Sequence, residues 1–277
     1  MSTEVLRIAA FSDGGNGGNP AGVHVSEKLP AASEMQAIAA EVGYSETAFA
    51  EAESDGWRVR YFSPESEVPF CGHATIALGA ALAQQHGAGV YPLYLNDANI
   101  SVEGFVQAGS YSAALQSPDT WSKTADTRLL ADALDLFGYS KTDLSGDMPS
   151  AYANGGANHL IIGLNSRQAL SAMDYDLDAG RLFMNNAELV TVMFVFAESK
   201  QRFHTRNAFA SGGVLEDPAT GAATAAFAGY LRDLNWPHDG AFTVVQGEDM
   251  GSRSLIHAQL DDLPGSSIRI SGTTRNL

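Results

Sequence analysis

Two stretches of this chain repeat one another at a fixed distance, and that repeat constrains the architecture more than any single motif. Glu67-Val68-Pro69-Phe70-Cys71-Gly72-His73-Ala74-Thr75-Ile76-Ala77 and Glu216-Asp217-Pro218-Ala219-Thr220-Gly221-Ala222-Ala223-Thr224-Ala225-Ala226 share the pattern E-x-P-x-x-G-x-A-T-x-A, and Leu82 then matches Leu231. The offset is close to half of the 277 residues, so each half reads as one copy of the same fold. A chain of this length also predicts about two domains, each able to bury its own core.

Each copy runs from Pro to Gly and then into an uncharged, small-residue helix, His73 to Gln85 and Ala222 to Leu231. A helix without a charged face has no side to offer to water and must be enclosed. Strands lie before and after it in both copies, which predicts two strand-rich barrels, each around a central helix. The first turn of such a helix has unpaired N–H groups and about half a positive charge, so two helix starts meeting in a cleft would hold an anion. Cys71 and His73 stand at one start, Asp217 and Thr220 at the other. The plainer alternative is a pair of core helices with no site attached.

Around these segments the chain reads as short strands with few helices. Leu6 to Phe11 is strand-like and runs into a glycine-rich loop over 13–20, whose spacing does not fit a dinucleotide fingerprint. Ser33 and Gln36 suggest a capping box for a helix over 34–42 that Gly43 stops. Residues 45–50 and 57–62 alternate as a hairpin about Ser54-Asp55-Gly56. Further strands are expected at 90–95, 100–106, 110–115, 158–164, 189–196, 241–246 and 254–260, with a helix from Asp126 to Phe137. The polar stretch 117–125 reads as the link between halves, which places the domains at 1–118 and 119–277, with the last strand able to cross to the first half.

Composition narrows the function classes. A net charge of −16 with 16 basic residues argues against nucleic acid as a partner, since neutralising phosphates needs a dense basic surface. No apolar run is long enough to span a membrane, and residues 1–5 lack the basic and apolar regions of a secretory signal. With one cysteine, Cys71, no internal disulfide can form, so the cytoplasm is the expected compartment. The histidines show no H-x-x-x-H or H-x-H pairing, and no metal site is expected.

The runs Gly18-Asn19-Pro20-Ala21, Ser45-Glu46-Thr47-Ala48-Phe49, Arg60-Tyr61-Phe62-Ser63-Pro64, the two repeated segments and Gln246-Gly247-Glu248-Asp249-Met250-Gly251 resemble, in that order, the phenazine-biosynthesis isomerase (PhzF-like) family. The resemblance implies an α+β, diaminopimelate-epimerase-like fold: two similar barrel-like domains, each a mostly antiparallel sheet around a central helix, with the site in the cleft between them. It further implies a cofactor-independent isomerase, similar to trans-2,3-dihydro-3-hydroxyanthranilate isomerase, in which a glutamate moves a proton within a small unsaturated carboxylic acid. By motif that glutamate is Glu46, with His73 and Asp217 also catalytic. Asn19, Ser45, Gly72, Thr220, Gly221 and Ala222 would bind the anionic substrate, and a homodimer is implied.

Each of these residues also has a plainer role open to it. Glu46 fits a solvated strand carboxylate, His73 a core or capping histidine, and Asp217 a helix cap. Two departures from the family bear on chemistry. Ala222 stands where the family commonly has serine, so one hydroxyl is missing, and Cys71 aligns with Thr220 across the repeat, so epimerisation by a thiol from each half is excluded. A catalytically silent small-acid binding or regulatory protein of the same fold is the alternative function.

Overall fold

The computed structural model describes residues 4–277. It divides into two compact units, one running to Gln116 and taking in Ser271–Leu277, the other comprising Ser117–Ile270. The first unit's elements are β1 (Leu6–Ala10), β2 (Asn19–Ser26), α1 (Ala32–Val42), β3 (Thr47–Glu53), β4 (Gly56–Phe62), β5 (Glu67–Val68), α2 (Gly72–His86), β6 (Gly89–Tyr94), β7 (Asn99–Gln107) and β8 (Ser110–Asp119). There follow β9 (Trp121–Thr124), α3 (Thr127–Leu136), β10 (Ala151–Asn154), β11 (Asn158–Leu164), α4 (Arg167–Ser171), α5 (Leu177–Asn186), β12 (Thr191–Ala197) and β13 (Arg202–Ala208). The chain ends with β14 (Glu216–Asp217), α6 (Gly221–Asp233), β15 (Ala241–Gln246), β16 (Ser254–Gln259) and β17 (Ser267–Asn276).

In the first unit the pairings β17–β1–β2–β3–β4–β6–β7–β8 return from β8 to β17 and close a barrel. The β2–β3 and β4–β6 pairs are parallel because α1 and α2 serve as their crossovers, and the β1–β17, β1–β2, β3–β4, β6–β7 and β7–β8 pairs are antiparallel. Helix α2 packs against β1, β2, β3, β6 and β7, and every residue from His73 to Ala83 is buried. Its lack of charge is thus explained by enclosure on all sides. Helix α1 lies outside, where Met35 and Ala39 pack on Phe49 and Phe62.

The second unit repeats the plan. Strands β9–β10–β11–β12–β13–β15–β16 pair in that order, with β11–β12 and β13–β15 parallel, and α6 packs against β9, β10, β11 and β16. Leu160, Ile162, Val192, Phe194 and Ala208 face α3, α4 and α5 through a cluster that includes Phe137 and Leu170. By alternation, His159, Thr191, Met193 and Asn207 share the opposite face. The fold is α+β with two similar barrel-like units around buried helices.

The repeat is also legible in contacts. Glu67 pairs with Arg60 on the strand before it, and Glu216 pairs with Arg206 in the same way. Each glutamate lies in a two-residue strand against that same hairpin, β5 on β4 and β14 on β13. Thr75 and Thr224 both turn their hydroxyls back onto the carbonyl that precedes the helix, Cys71 O at 2.7 Å and Thr220 O at 3.1 Å. The shared Glu and Thr are therefore scaffold residues, fixing how the chain enters each helix.

Three expectations need correction. Helix α1 starts at Ala32 with Ala31 as its uncapped N-cap, so Ser33 lies inside the helix and the capping box does not form. The amide of Gln36 instead donates to Ser63 O at 2.8 Å. Residues 117–125 do lie where the second unit begins, at Ser117, but they are the end of β8 and the whole of β9 rather than a connection without regular structure. Two of their polar residues are satisfied beside the start of β17, where Thr120 N and Oγ1 donate to Gly265 O and Ser266 O and Ser117 Oγ accepts from Ile268 N, while β9 pairs with β10. Finally, Ser45 and Glu46 precede β3 rather than belonging to it.

Candidate functional site

In the first unit the site forms where α2 begins. Cys71 is its N-cap in extended conformation (φ −143°, ψ 116°) and Gly72 its first residue. Thr75 anchors that start by donating both N–H and Oγ–H to Cys71 O, and the Tyr61 hydroxyl lies 2.7 Å from Thr75 Oγ1. Since that threonine proton is already committed, Tyr61 is the donor in the pair. Burial raises the Tyr61 phenol above the ordinary tyrosine range, in keeping with a proton held there.

Beside this anchor the Ser45 hydroxyl, the Glu46 carboxylate and the Cys71 thiol converge on the His73 imidazole. Gly43, in left-handed conformation (φ 71°), ends α1, and the chain passes through Ser45 and Glu46 before Thr47 enters β3. The Glu46 carbonyl accepts from Gly22 N at 3.1 Å, which fixes its backbone beside β2. Its carboxylate Oε2 comes to 3.5 Å from Nε2 of His73. Ser45 Oγ lies 3.4 Å from the same nitrogen, and Cys71 Sγ lies 3.3 Å from His73 Nδ1. The His73 and Glu46 side chains are 9% and 17% exposed, so both are largely removed from water yet reachable. Glu46 is therefore not a solvated strand carboxylate. Asn19, buried, opens β2, the strand next to the Ser45–Glu46 segment.

The second unit presents a different set at the corresponding helix start. Thr220 is the N-cap of α6, as Cys71 is of α2, and Gly221 is its first residue. Thr220 Oγ1 donates to Asp217 Oδ2 at 2.5 Å. Gln246, fully buried, clamps this turn: its Nε2 donates to Asp217 O at 2.6 Å and Thr220 Oγ1 at 3.0 Å, and its Oε1 accepts from Thr220 N at 3.2 Å. Because the threonine oxygen accepts from Gln246, its own proton is directed at Asp217. Gly247 follows with φ +76°, and a Cβ there would come within 2.8 Å of Pro218 O, so only glycine lets the two loops pass so closely. Ala222, second in α6, is half-buried, whereas Gly221 and Ala223 on either side of it are buried.

Ser45, Glu46, Gly72 and His73 thus come together in one unit, and Asp217, Thr220, Gly221 and Ala222 in the other. Gln246 had no expected role in the sequence beyond opening the motif over 246–251. Its signal was a polar side chain ending a strand of Phe242, Val244 and Val245, a position whose burial demands hydrogen-bond partners. The anchoring roles of Tyr61, Arg60 and Arg206 depend on partners carried by other elements, Thr75 on α2, Glu67 on β5 and Glu216 on β14, and had no signal in the residues beside them.

The sequence profile of the family described as phenazine biosynthesis-like protein matches residues 8–275. The chain belongs to the phenazine biosynthesis-like family. An uncharacterized isomerase of Bacillus subtilis is 29% identical over 282 residues, covering 98% of this chain and 95% of the relative. The trans-2,3-dihydro-3-hydroxyanthranilate isomerase of Pseudomonas fluorescens is 32% identical over 262 residues, with 92% and 89% covered. A solved PhzF-family phenazine biosynthesis protein of Bacillus anthracis has the same fold, with a TM-score of 0.84 at 22% identity over 99% of this chain and 96% of that one. This PhzF-like protein is an isomerase by its family and its named relatives. Within the PhzF-like fold the two N-caps, Cys71 and Thr220, are the equivalent positions, so a thiol pair of one cysteine from each unit cannot form. Among the described residues no helix is long and apolar enough to cross a membrane.

Proposed function

We propose that this isomerase moves a proton within a small unsaturated carboxylic acid without a cofactor, using Glu46 as general acid and base. The observation that carries the reading is the Glu46–His73 contact at 3.5 Å, placed at the N-terminus of a buried helix and largely withdrawn from water. A carboxylate held within reach of a substrate carbon can serve as the base and then the acid of a proton transfer. In the proposed step a Glu46 oxygen takes a proton from one substrate carbon, and the C–H electron pair enters the conjugated system. The double bond shifts, and Glu46, whose carboxyl proton exchanges with water, returns a proton to a second carbon, so the product is an isomer and the enzyme is restored.

Negative charge gathers on the substrate carboxylate during that step. The first-turn N–H groups at Gly72, at the helix start beside Glu46, would meet it, and Gly221 opens the equivalent helix of the second unit. His73, in hydrogen-bond range of Ser45 and beside the Glu46 carboxylate, orients the base. Asp217, held as an acceptor by Thr220 and Gln246, would take a donor group of the substrate, such as an amine or hydroxyl. Asn19 would complete the wall beside Glu46. The relative from Pseudomonas fluorescens supplies the substrate class, and Ala222 points to an acid that does not require the missing hydroxyl.

The test is deuterium incorporation from heavy water into trans-2,3-dihydro-3-hydroxyanthranilate and a panel of small unsaturated acids. Glu46→Gln keeps volume and removes the basic oxygen, and it should lower exchange by about 10²–10⁴-fold, the usual contribution of a general acid or base. Exchange within about threefold of the parent, with the fold intact, would place the base elsewhere.

A further inference from the structure

The groups that meet at the start of α2 are a carboxylate, an imidazole and a thiol, a donor set with a chemistry of its own. Glu46, Cys71 and His73 each bring one ligand atom to within 4.8 Å of the others. Nε2 of His73 is the shared corner, 3.5 Å from Glu46 Oε2 and 3.9 Å from Cys71 Sγ. A tetrahedral zinc ion held at about 2.0–2.3 Å by oxygen, nitrogen and sulfur needs its donors roughly 3.3–3.7 Å apart. Two edges of the triangle are within a few tenths of an ångström of that requirement. Cys71 and His73 are carried by the first turn of an enclosed helix, whereas Glu46 lies on the connection between α1 and β3. The carboxylate is thus the ligand with freedom to close the set.

We propose that Glu46, Cys71 and His73 form a binding site for a thiophilic divalent cation of the zinc class, with a fourth position open to water or a carboxylate. The thiol selects against magnesium and calcium, which take oxygen ligands, and in favour of zinc or cobalt. The carboxylate and the thiolate together balance the charge of the ion. Occupancy commits the Glu46 lone pair to the metal, so the bound ion blocks proton transfer. This last consequence rests on the assignment of Glu46 as the base, whereas the binding itself does not.

Cobalt(II) titration of the full chain tests the site without any substrate. The expected result is one equivalent bound with tetrahedral d–d absorption and a thiolate-to-cobalt charge-transfer band, which reports Cys71 because the chain has a single cysteine. Zinc should displace the cobalt, and excess magnesium should not. Cys71→Ser should abolish the band, and both Cys71→Ser and Glu46→Gln should weaken zinc binding at least about tenfold, the lower end of the cost of even an outer-shell change. Absence of the band, or zinc affinity unchanged in both variants, overturns the site. Deuterium exchange by the parent with zinc, then with a chelator added, tests the blockade. A thiolate band with exchange unimpaired overturns Glu46 as the base and leaves the site standing. No band together with an inactive Glu46→Gln overturns the site and leaves the base assignment standing.

Discussion

Gln246 shows how much one buried amide can decide. It uses its amide oxygen and its nitrogen to hold Thr220 N, Thr220 Oγ1 and Asp217 O in one arrangement. Gln246→Leu keeps the bulk but leaves a buried N–H and a carbonyl unpaired, at a cost of about 1–3 kcal/mol. Gln246→Glu keeps the shape but removes the two donors and sets a carboxylate beside Asp217. If Asp217 meets the substrate, both changes should lower kcat/KM for isomerisation by more than they lower the melting temperature would suggest, and the pH profile of Gln246→Glu should shift. Steady-state kinetics across pH, paired with thermal melts, checks this; an unchanged profile would confine Gln246 to a structural role. Ala222→Ser adds a donor at the start of α6, worth about 0.5–1.5 kcal/mol toward an acid that reaches it. A lower KM for dihydro-hydroxyanthranilate-like acids, measured against the parent with one ligand set, is the expected outcome. Glu46 and His73 were legible as motif residues, but their 3.5 Å contact was not, because it joins a connection and a helix 27 residues apart.

At the scale of elements, α2 shows why composition was a better guide than propensity. Gly79 sits mid-helix, where glycine ordinarily costs stability, yet a Cβ there would lie 2.5 Å from Val102 Cγ2 and 3.0 Å from the Ala113 Cβ. The close approach of β7 and β8 to the helix is what requires it. Gly79→Ala should therefore destabilise the protein by about 1–3 kcal/mol in urea unfolding, against the helix-propensity gain, and Val102→Ala in the same chain should recover part of the loss. Helix α1 offers the converse case. Its N-cap Ala31 has φ −61° and ψ 151°, suited to a capping side chain but without one, so Ala31→Asp should add about 1 kcal/mol. Ser33, within the helix, should tolerate alanine. The capping-box pattern at Ser33 and Gln36 misled because it reports compatibility with a cap, while the chain leaving β2 sets where the helix starts.

The whole molecule is tied together by β17, which begins in the second unit and ends by closing the first barrel between β1 and β8. A fragment of residues 1–116 lacks that strand and leaves two barrel edges open. It should show poor amide dispersion in NMR spectra, and joining residues 267–277 to it through a flexible linker should restore dispersion. Acid stability is a property of the same scale. His159 is wholly enclosed, with Nδ1 2.8 Å from Thr191 Oγ1, and burial pushes its pKa down to about 3 from 6.5. The folded state thus refuses a proton that the unfolded chain accepts below pH 6.5. The stabilisation is fully present above 6.5 and is lost as pH falls toward 3, at up to about 1.4 kcal/mol per pH unit. Burial lowers His24 and His257 in the same sense. Urea midpoints at pH 7 and pH 5 should show the loss, and His159→Gln should flatten the slope by about one proton.

By itself the sequence determined the duplicated plan, the two enclosed helices and the glycines at which they start. Those features follow from local composition and spacing: an uncharged helix has to be wrapped, and a repeat of one pattern has to fold twice. It also named Glu46, His73 and Asp217 through their motifs. Tertiary structure alone decided that the polar stretch 117–125 ends β8 and then forms β9 on β10, that Arg60 and Arg206 hold the entries to α2 and α6, and that Glu46, His73 and Cys71 share one corner. In each case the partner lies on another element, and a side chain's surroundings are set by the strands and helices that close around it rather than by its neighbours in the chain.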